Sequence, residues 1–285
     1  MKPLNIPIRS IGPGSQPGED EDLQVLDVPM TAEGFRMPLV PPASDARQRA
    51  EAAEVIERFV DLLRHYRTGD LGYPRIDVAS LDPLALEVLN QSLGEGEVSA
   101  IVAGPQRVEI QETVFAGAWR VRYFGEDGRL LNDFLEGCGM PDAVVASARA
   151  QAAQELAPAQ APPGTMNSPI LVKEIAEQSL LWREGTPAHV VNLTLLPLTP
   201  EDHAHLNQVF AKGVVTILSR GFGKCRISST GLRNVWWVQY FNTMDTLILN
   251  TIEVVDVPEV ACAHQDDIDD TVGRLVELAE WLRED

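Results

Sequence analysis

Two seven-residue stretches, Ala118–Phe124 and Val235–Phe241, alternate in a way that only a pleated strand accommodates. In the first, Trp119, Val121 and Tyr123 point to one side and Arg120 and Arg122 to the other, which predicts one dry and one wet face. In the second, Trp236, Val238 and Tyr240 repeat the dry face, but Val235, Trp237, Gln239 and Phe241 take the other. Further strands are predicted over 75–78, 98–103, 107–114, 129–135, 189–195, 214–219, 224–230 and 246–255, from β-branched runs bounded by Gly, Asn and Asp turn signals. Apolar positions at helical spacing (Ile56, Phe59, Val60, Leu63) predict a helix over 45–66. Others follow over 84–93, 141–156, 170–183, 201–211 and 266–282, several opening on Pro or an acidic first turn.

The order of elements recurs. Trp119 and Trp236 stand 117 positions apart, as do Tyr123 and Tyr240, Phe124 and Phe241, Gly96 and Gly213, and Pro141 and Pro258. The expected fold is α+β: two internally duplicated units, each a four-stranded antiparallel meander with a short extra strand, packed with helices. The units are expected over 45–156 and 169–285. They are joined by an Ala/Pro-rich linker over 157–168 and preceded by an acidic, Pro-rich arm over 1–44.

Composition adds three constraints. Forty-two acidic against 23 basic residues give a net charge of −19, which speaks against nucleic-acid binding and favours attraction to basic protein segments. Three cysteines, none in a CxxC spacing, point to a reducing compartment rather than to a disulfide framework. No apolar run approaches the roughly 20 residues of a membrane span, so a cytoplasmic protein is expected, without membrane insertion.

Candidate chemistry is sparse. Arg220-Gly221-Phe222-Gly223-Lys224 joins strand to strand, so the helix N-terminus of a phosphate loop is missing. His203 and His205 sit two apart on a helix and do not face each other. Cys225, Cys262 and His264 are the candidate metal ligands, thiolates and imidazole suiting zinc or an iron–sulfur centre, but the spacing is poor. No nucleophile elbow or HExxH is present, so no catalytic residue, no cofactor and no enzyme activity are expected.

The second half resembles the HupH/HyaF/HoxQ family of nickel–iron hydrogenase accessory proteins. The resemblance rests on Pro187 through Leu198, Ile217 through Gly221, Cys225-Arg226-Ile227, Asn234 through Phe241, Ile248 through Val254, and Pro258 through Cys262. Gly221-Phe222-Gly223 replaces the Gly-Tyr-Gly of many members. It implies a role in hydrogenase expression and maturation, as chaperone or assembly partner of the iron–sulfur small-subunit precursor, with other maturation proteins as further partners. Two alternatives stay open: a metal or iron–sulfur carrier using Cys225 and Cys262, and a structural subunit of a larger maturation complex.

A Trp buries about 200 Å², on the order of 5 kcal/mol at about 25 cal/mol per Å², so Trp237 needs a cover. Arginines at the matching first-half positions imply that the fold does not demand an apolar residue there. The expected partner-binding surface is therefore centred on Trp237, Gln239 and Phe241, flanked by Arg220 and Asn234.

Overall fold

The computed structural model describes residues 45–70, 72–157, 160–221 and 223–284. The arm expected over 1–44, Phe222 and part of the expected linker lie outside them. Six helices are present: α1 Ala46–Leu63, α2 Pro83–Leu93, α3 Asp142–Gln151, α4 Ser168–Leu181, α5 Pro200–Val209 and α6 Gln265–Arg283. The first five strands are β1 Arg75–Asp77, β2 Val98–Val102, β3 Arg107–Glu112, β4 Ala118–Phe124 and β5 Leu130–Gly137. The next five are β6 His189–Asn192, β7 Lys212–Ser219, β8 Lys224–Thr230, β9 Val235–Phe241 and β10 Leu247–Val254. No described helix is long and apolar enough to cross a membrane.

All ten strands form one antiparallel sheet in the order β1-β5-β4-β3-β2-β7-β8-β9-β10-β6. The protein is α+β, and the strand order is the same read from either edge. The centre is the β2–β7 pair, where Ala100 stands opposite Ile217, its counterpart 117 positions on. Direct pairing carries one apolar row across the middle: Val121, Ile110, Ala100, Ile217, Ile227 and Val238, all buried. Trp119 and Trp236 flank this row, and each indole N–H is satisfied locally, by Cys138 O at 2.8 Å and Asp256 O at 2.9 Å.

Local signals explain the helix starts. Asp45 accepts from the Gln48 amide at 3.0 Å in a capping box, and Asp82 accepts from Leu84 N–H ahead of Pro83. Thr199 and Asp202 form the corresponding box for α5. The helix expected over 141–156 stops at Gln151, and Ala153 bridges to Leu232 instead. The strand expected over 189–195 ends at Asn192, whose side chain accepts from Thr194 N–H at 3.0 Å and turns 193–195 into a 3₁₀ turn.

Two cores result. Phe59 and Leu63 of α1, Leu89 and Leu93 of α2, and Ile268 and Leu275 of α6 close the larger one together with the apolar row. Leu171 and Ile175 of α4, with Leu206 of α5 and Phe210 just after it, close the smaller one against β6, β9 and β10.

Gly96 and Gly213 hold matching places where backbone meets backbone. A Cβ on Gly96 would lie 2.2 Å from Thr113 O, and one on Gly213 would lie 2.9 Å from Thr230 O. Gly96→Ala forces that backbone apart at a cost of about 1–3 kcal/mol. Thermal denaturation of this variant is expected to show a clear drop in Tm, whereas Gly273→Ala, whose Cβ would meet nothing within 4 Å, leaves Tm unchanged or raised.

Candidate partner-binding surface

Trp237 is covered by its own half. It is 9% exposed and belongs to the core under α4 and α5, beside Ile252, its cross-strand neighbour on β10. Its indole N–H donates to Asn250 Oδ1 at 2.6 Å. The expectation of an exposed apolar face centred on this residue is thereby corrected: alternation put Trp237 on the second face, and two helices distant in sequence cover that face.

The first half corrects a second expectation. Arg120, read as facing water, is buried and paired with Asp133 at 2.5 Å. Asp133 and Asn250 are themselves 117 positions apart, so one slot holds a cation–carboxylate pair in one half and an indole–amide hydrogen bond in the other. Both solve the same problem, a polar acceptor buried beside a strand.

The other expected site residues scatter. Gln239 and Phe241 continue the Trp237 face, half-buried, with the Arg226 guanidinium 5.4 Å from the Phe241 ring centroid. Arg220 is exposed at the β7–β8 turn, and Lys224 pairs with Phe241 at that end of the sheet. Asn234 lies at the opposite end of β9, with φ of 58°, accepting from Arg149 Nε at 3.3 Å. These residues do not form one surface.

What is exposed lies nearby. Leu195 (80%), Leu196, Met244 (79%), Leu247 and Ile248 are open to solvent. The turn at 193–195 packs along β10, held by Asn250 N–H donating to Thr194 Oγ1 at 2.8 Å. β6 pairs only with Thr251–Val254, so this turn borders the leading half of β10, whose first residues are Leu247 and Ile248, and the five exposed residues are together termed the ridge. Sequence reading missed the ridge. Its signal was the unbroken run Leu247-Ile248-Leu249, in which a two-residue period must turn at least one apolar side chain outward.

The remaining polar clusters are structural in kind. Ser168, Asp202 and His205 are buried together, but Ser168 Oγ sits between the other two, at 2.8 Å from Asp202 Oδ1 and 2.9 Å from His205 Nδ1. Burial alone would raise the Asp202 carboxyl. Hydrogen bonds from Ser168, Thr199 and Met166 outweigh it and hold the group below the usual carboxylate range. This carboxylate therefore fastens the start of α4 to α5. Burial pushes the Cys225 and Cys262 thiols up to about 12, leaving them protonated at neutral pH. His264 caps α6, and among the described residues no group of three or more His, Cys, Asp or Glu stands where a metal could be held.

With this geometry in place, the comparisons with known proteins give the class. Residues 75–159 and 165–282 match the family described as HupH hydrogenase expression protein, C-terminal conserved region, and the chain belongs to that family. It is 42% identical to the hydrogenase expression/formation protein HoxQ of Cupriavidus necator over 99% of each chain. It is 41% identical to HupQ of Azotobacter chroococcum over 95% of each, and 32% identical to the hydrogenase-1 operon protein HyaF of Escherichia coli over 96% of each. The solved hydrogenase expression protein HupH of Thiobacillus denitrificans is 30% identical, covering 40% of this chain and 96% of that one, with a TM-score of 0.36.

Two measurements check the site. Trp237→Ala removes a packed core side chain and its hydrogen bond, which should cost about 3–5 kcal/mol, seen as a much lower Tm or denaturant midpoint. Glu112 provides the second. It is 8% exposed, and burial pushes its carboxyl up to about 7, against the lowering effect of the Gly117 and Val98 amides. A carboxyl raised on folding binds its proton more tightly in the native state, so stability is lost as pH rises from the ordinary 4.5 towards 7. Glu112→Gln is expected to flatten the fall in Tm across that window.

Proposed function

We propose that the chain is a cytoplasmic, non-catalytic accessory factor in hydrogenase maturation. In this reading it binds the iron–sulfur small-subunit precursor through the ridge Leu195, Leu196, Met244, Leu247 and Ile248. The ridge is the observation that carries the reading, since apolar side chains held out by a firm sheet edge are what a partner covers. The names of the relatives support the process, hydrogenase expression and formation. The net charge of −19 favours a partner with basic segments. The 117-residue spacing supports a further reading, that the two halves are copies of one ancestral unit. A carrier role using Cys225 and Cys262 finds no support in a buried and a half-buried thiol, both protonated.

The test is capture of the small-subunit precursor by the tagged full chain, with and without the precursor's signal peptide. Leu247→Lys combined with Ile248→Lys is expected to lower capture at least tenfold while leaving Tm within a degree or two, because both side chains are already in water. Undiminished capture by that double variant would overturn the ridge as the contact surface.

A further inference from the structure

Glu136 and Glu253 hold matching places, the first opposite Trp119 on β4 and the second opposite Trp236 on β9. Their surroundings differ. Glu136 is 0% exposed and paired with a cation: Arg75 Nη2 lies 2.7 Å from Oε1, and Tyr73 OH donates to Oε2 at 2.9 Å. The Arg75 guanidinium is also stacked, 4.9 Å from the Phe134 ring centroid and 5.6 Å from that of Tyr73. Arg75 reaches this seat from β1, where it is the direct cross-strand neighbour of Glu136.

In the second half each wall of the seat is smaller or neutral. The cross-strand neighbour of Glu253 on β6 is Val190 where the first half has Arg75. Thr251 stands where Phe134 stands, each two residues before its glutamate, and Ala188 stands where Tyr73 does, two before Val190. Glu253 is half-buried, with one side-chain hydrogen bond, from Thr251 Oγ1 at 3.2 Å. Among the described residues no cation pairs with it. Burial raises its carboxyl, Thr251 lowers it and Glu259 raises it further. A carboxylate held in this way gains from a cation that the described residues do not bring.

Among the described residues no strand lies beyond this position. β6 is the outermost strand, and Val190 on it is 50% exposed. Neighbouring strands lie about 4.8 Å apart, so a residue on a strand added beyond β6 would lie roughly 10 Å from Glu253. An extended arginine and a glutamate side chain together span such a gap, and lysine lacks the planar fork of donors that suits a carboxylate.

We propose that Glu253, with the open space over Val190, is a seat for an arginine side chain carried on an extended segment of a partner protein. The pairing copies the Arg75–Glu136 contact with the arginine supplied from outside, and edge-strand addition at β6 gives the segment its register. The seat rests on the reading of the chain as a protein-binding factor only in taking a polypeptide as the carrier.

The test uses the full chain and two ten-residue peptides, an Ala/Val/Ser sequence with one central arginine and the same sequence with citrulline, which keeps the shape and removes the charge. Calorimetry is expected to show the arginine peptide binding at least tenfold more tightly. Glu253→Gln should abolish the difference. Val190→Arg, which fills the seat from β6 itself, should block the arginine peptide and keeps the test decisive if the glutamine variant folds poorly. Equal affinity for the two peptides, no binding of the arginine peptide at millimolar concentration, or full binding by the Val190→Arg variant would each overturn the seat. Precursor capture that survives Val190→Arg but not the ridge substitutions would sink the seat alone and leave the ridge standing. Capture lost with Val190→Arg but not with the ridge substitutions would sink the ridge alone.

Discussion

The antiparallel pairing of β2 with β7 is the joint on which the architecture depends. Each half by itself would end in an unpaired strand with a row of open amides and carbonyls, an edge that proteins must cover or disarm. Joining the two edges removes both, and it places Ala100 against Ile217 at the middle of a dry row running from Val121 to Val238. A shift of one residue at this joint would turn one half's apolar row to the opposite face. Sheet continuity and the shared core therefore enforce the same register.

A second constraint acts within each half. The position one residue after the buried Trp needs a donor facing a buried acceptor. Arg120 with Asp133 and Trp237 with Asn250 both meet it. The ion pair must recover the desolvation of two charges, whereas the indole–amide pair has far less to recover and adds apolar contact. The smaller core under α4 and α5 is built around the second solution, and the Asp202 carboxylate keeps those two helices together above it.

Much of the fold was legible because period-two alternation is a direct imprint of the pleat. β4, β8 and β9 begin and end where alternation placed them, and α4 and α6 lie within two residues of their expected bounds. Alternation reports which face a side chain takes and nothing about what covers it. That is why Trp237 reads as open in sequence and is closed in the structure, and why Arg120 reads as wet although Asp133 neutralises it from the next strand. The 193–195 turn was hidden for a similar reason. Leu193 through Leu196 suits a strand, and the hydrogen bond that the Asn192 side chain accepts from Thr194 N–H favours the turn instead. The candidate surface was legible only as a disturbance, three apolar residues in a row where two-sided patterning allows fewer.

Because adjacent strands alternate in direction, the β4–β5 and β9–β10 hairpins, five steps apart in the sheet, point to opposite ends of the molecule. Each begins its return strand with two exposed aliphatic residues, Leu130-Leu131 in one and Leu247-Ile248 in the other. A body with a sticky tip at both poles is divalent, and tip-to-tip contacts between copies have no symmetry that closes them, so they would propagate into chains. Mutual repulsion between bodies of charge −19 opposes that growth, over a Debye length of about 8 Å at physiological salt and about 3 Å at 1 M. The acidity of this chain thus has the character of a colloidal spacer, opposing contact between copies at either pole.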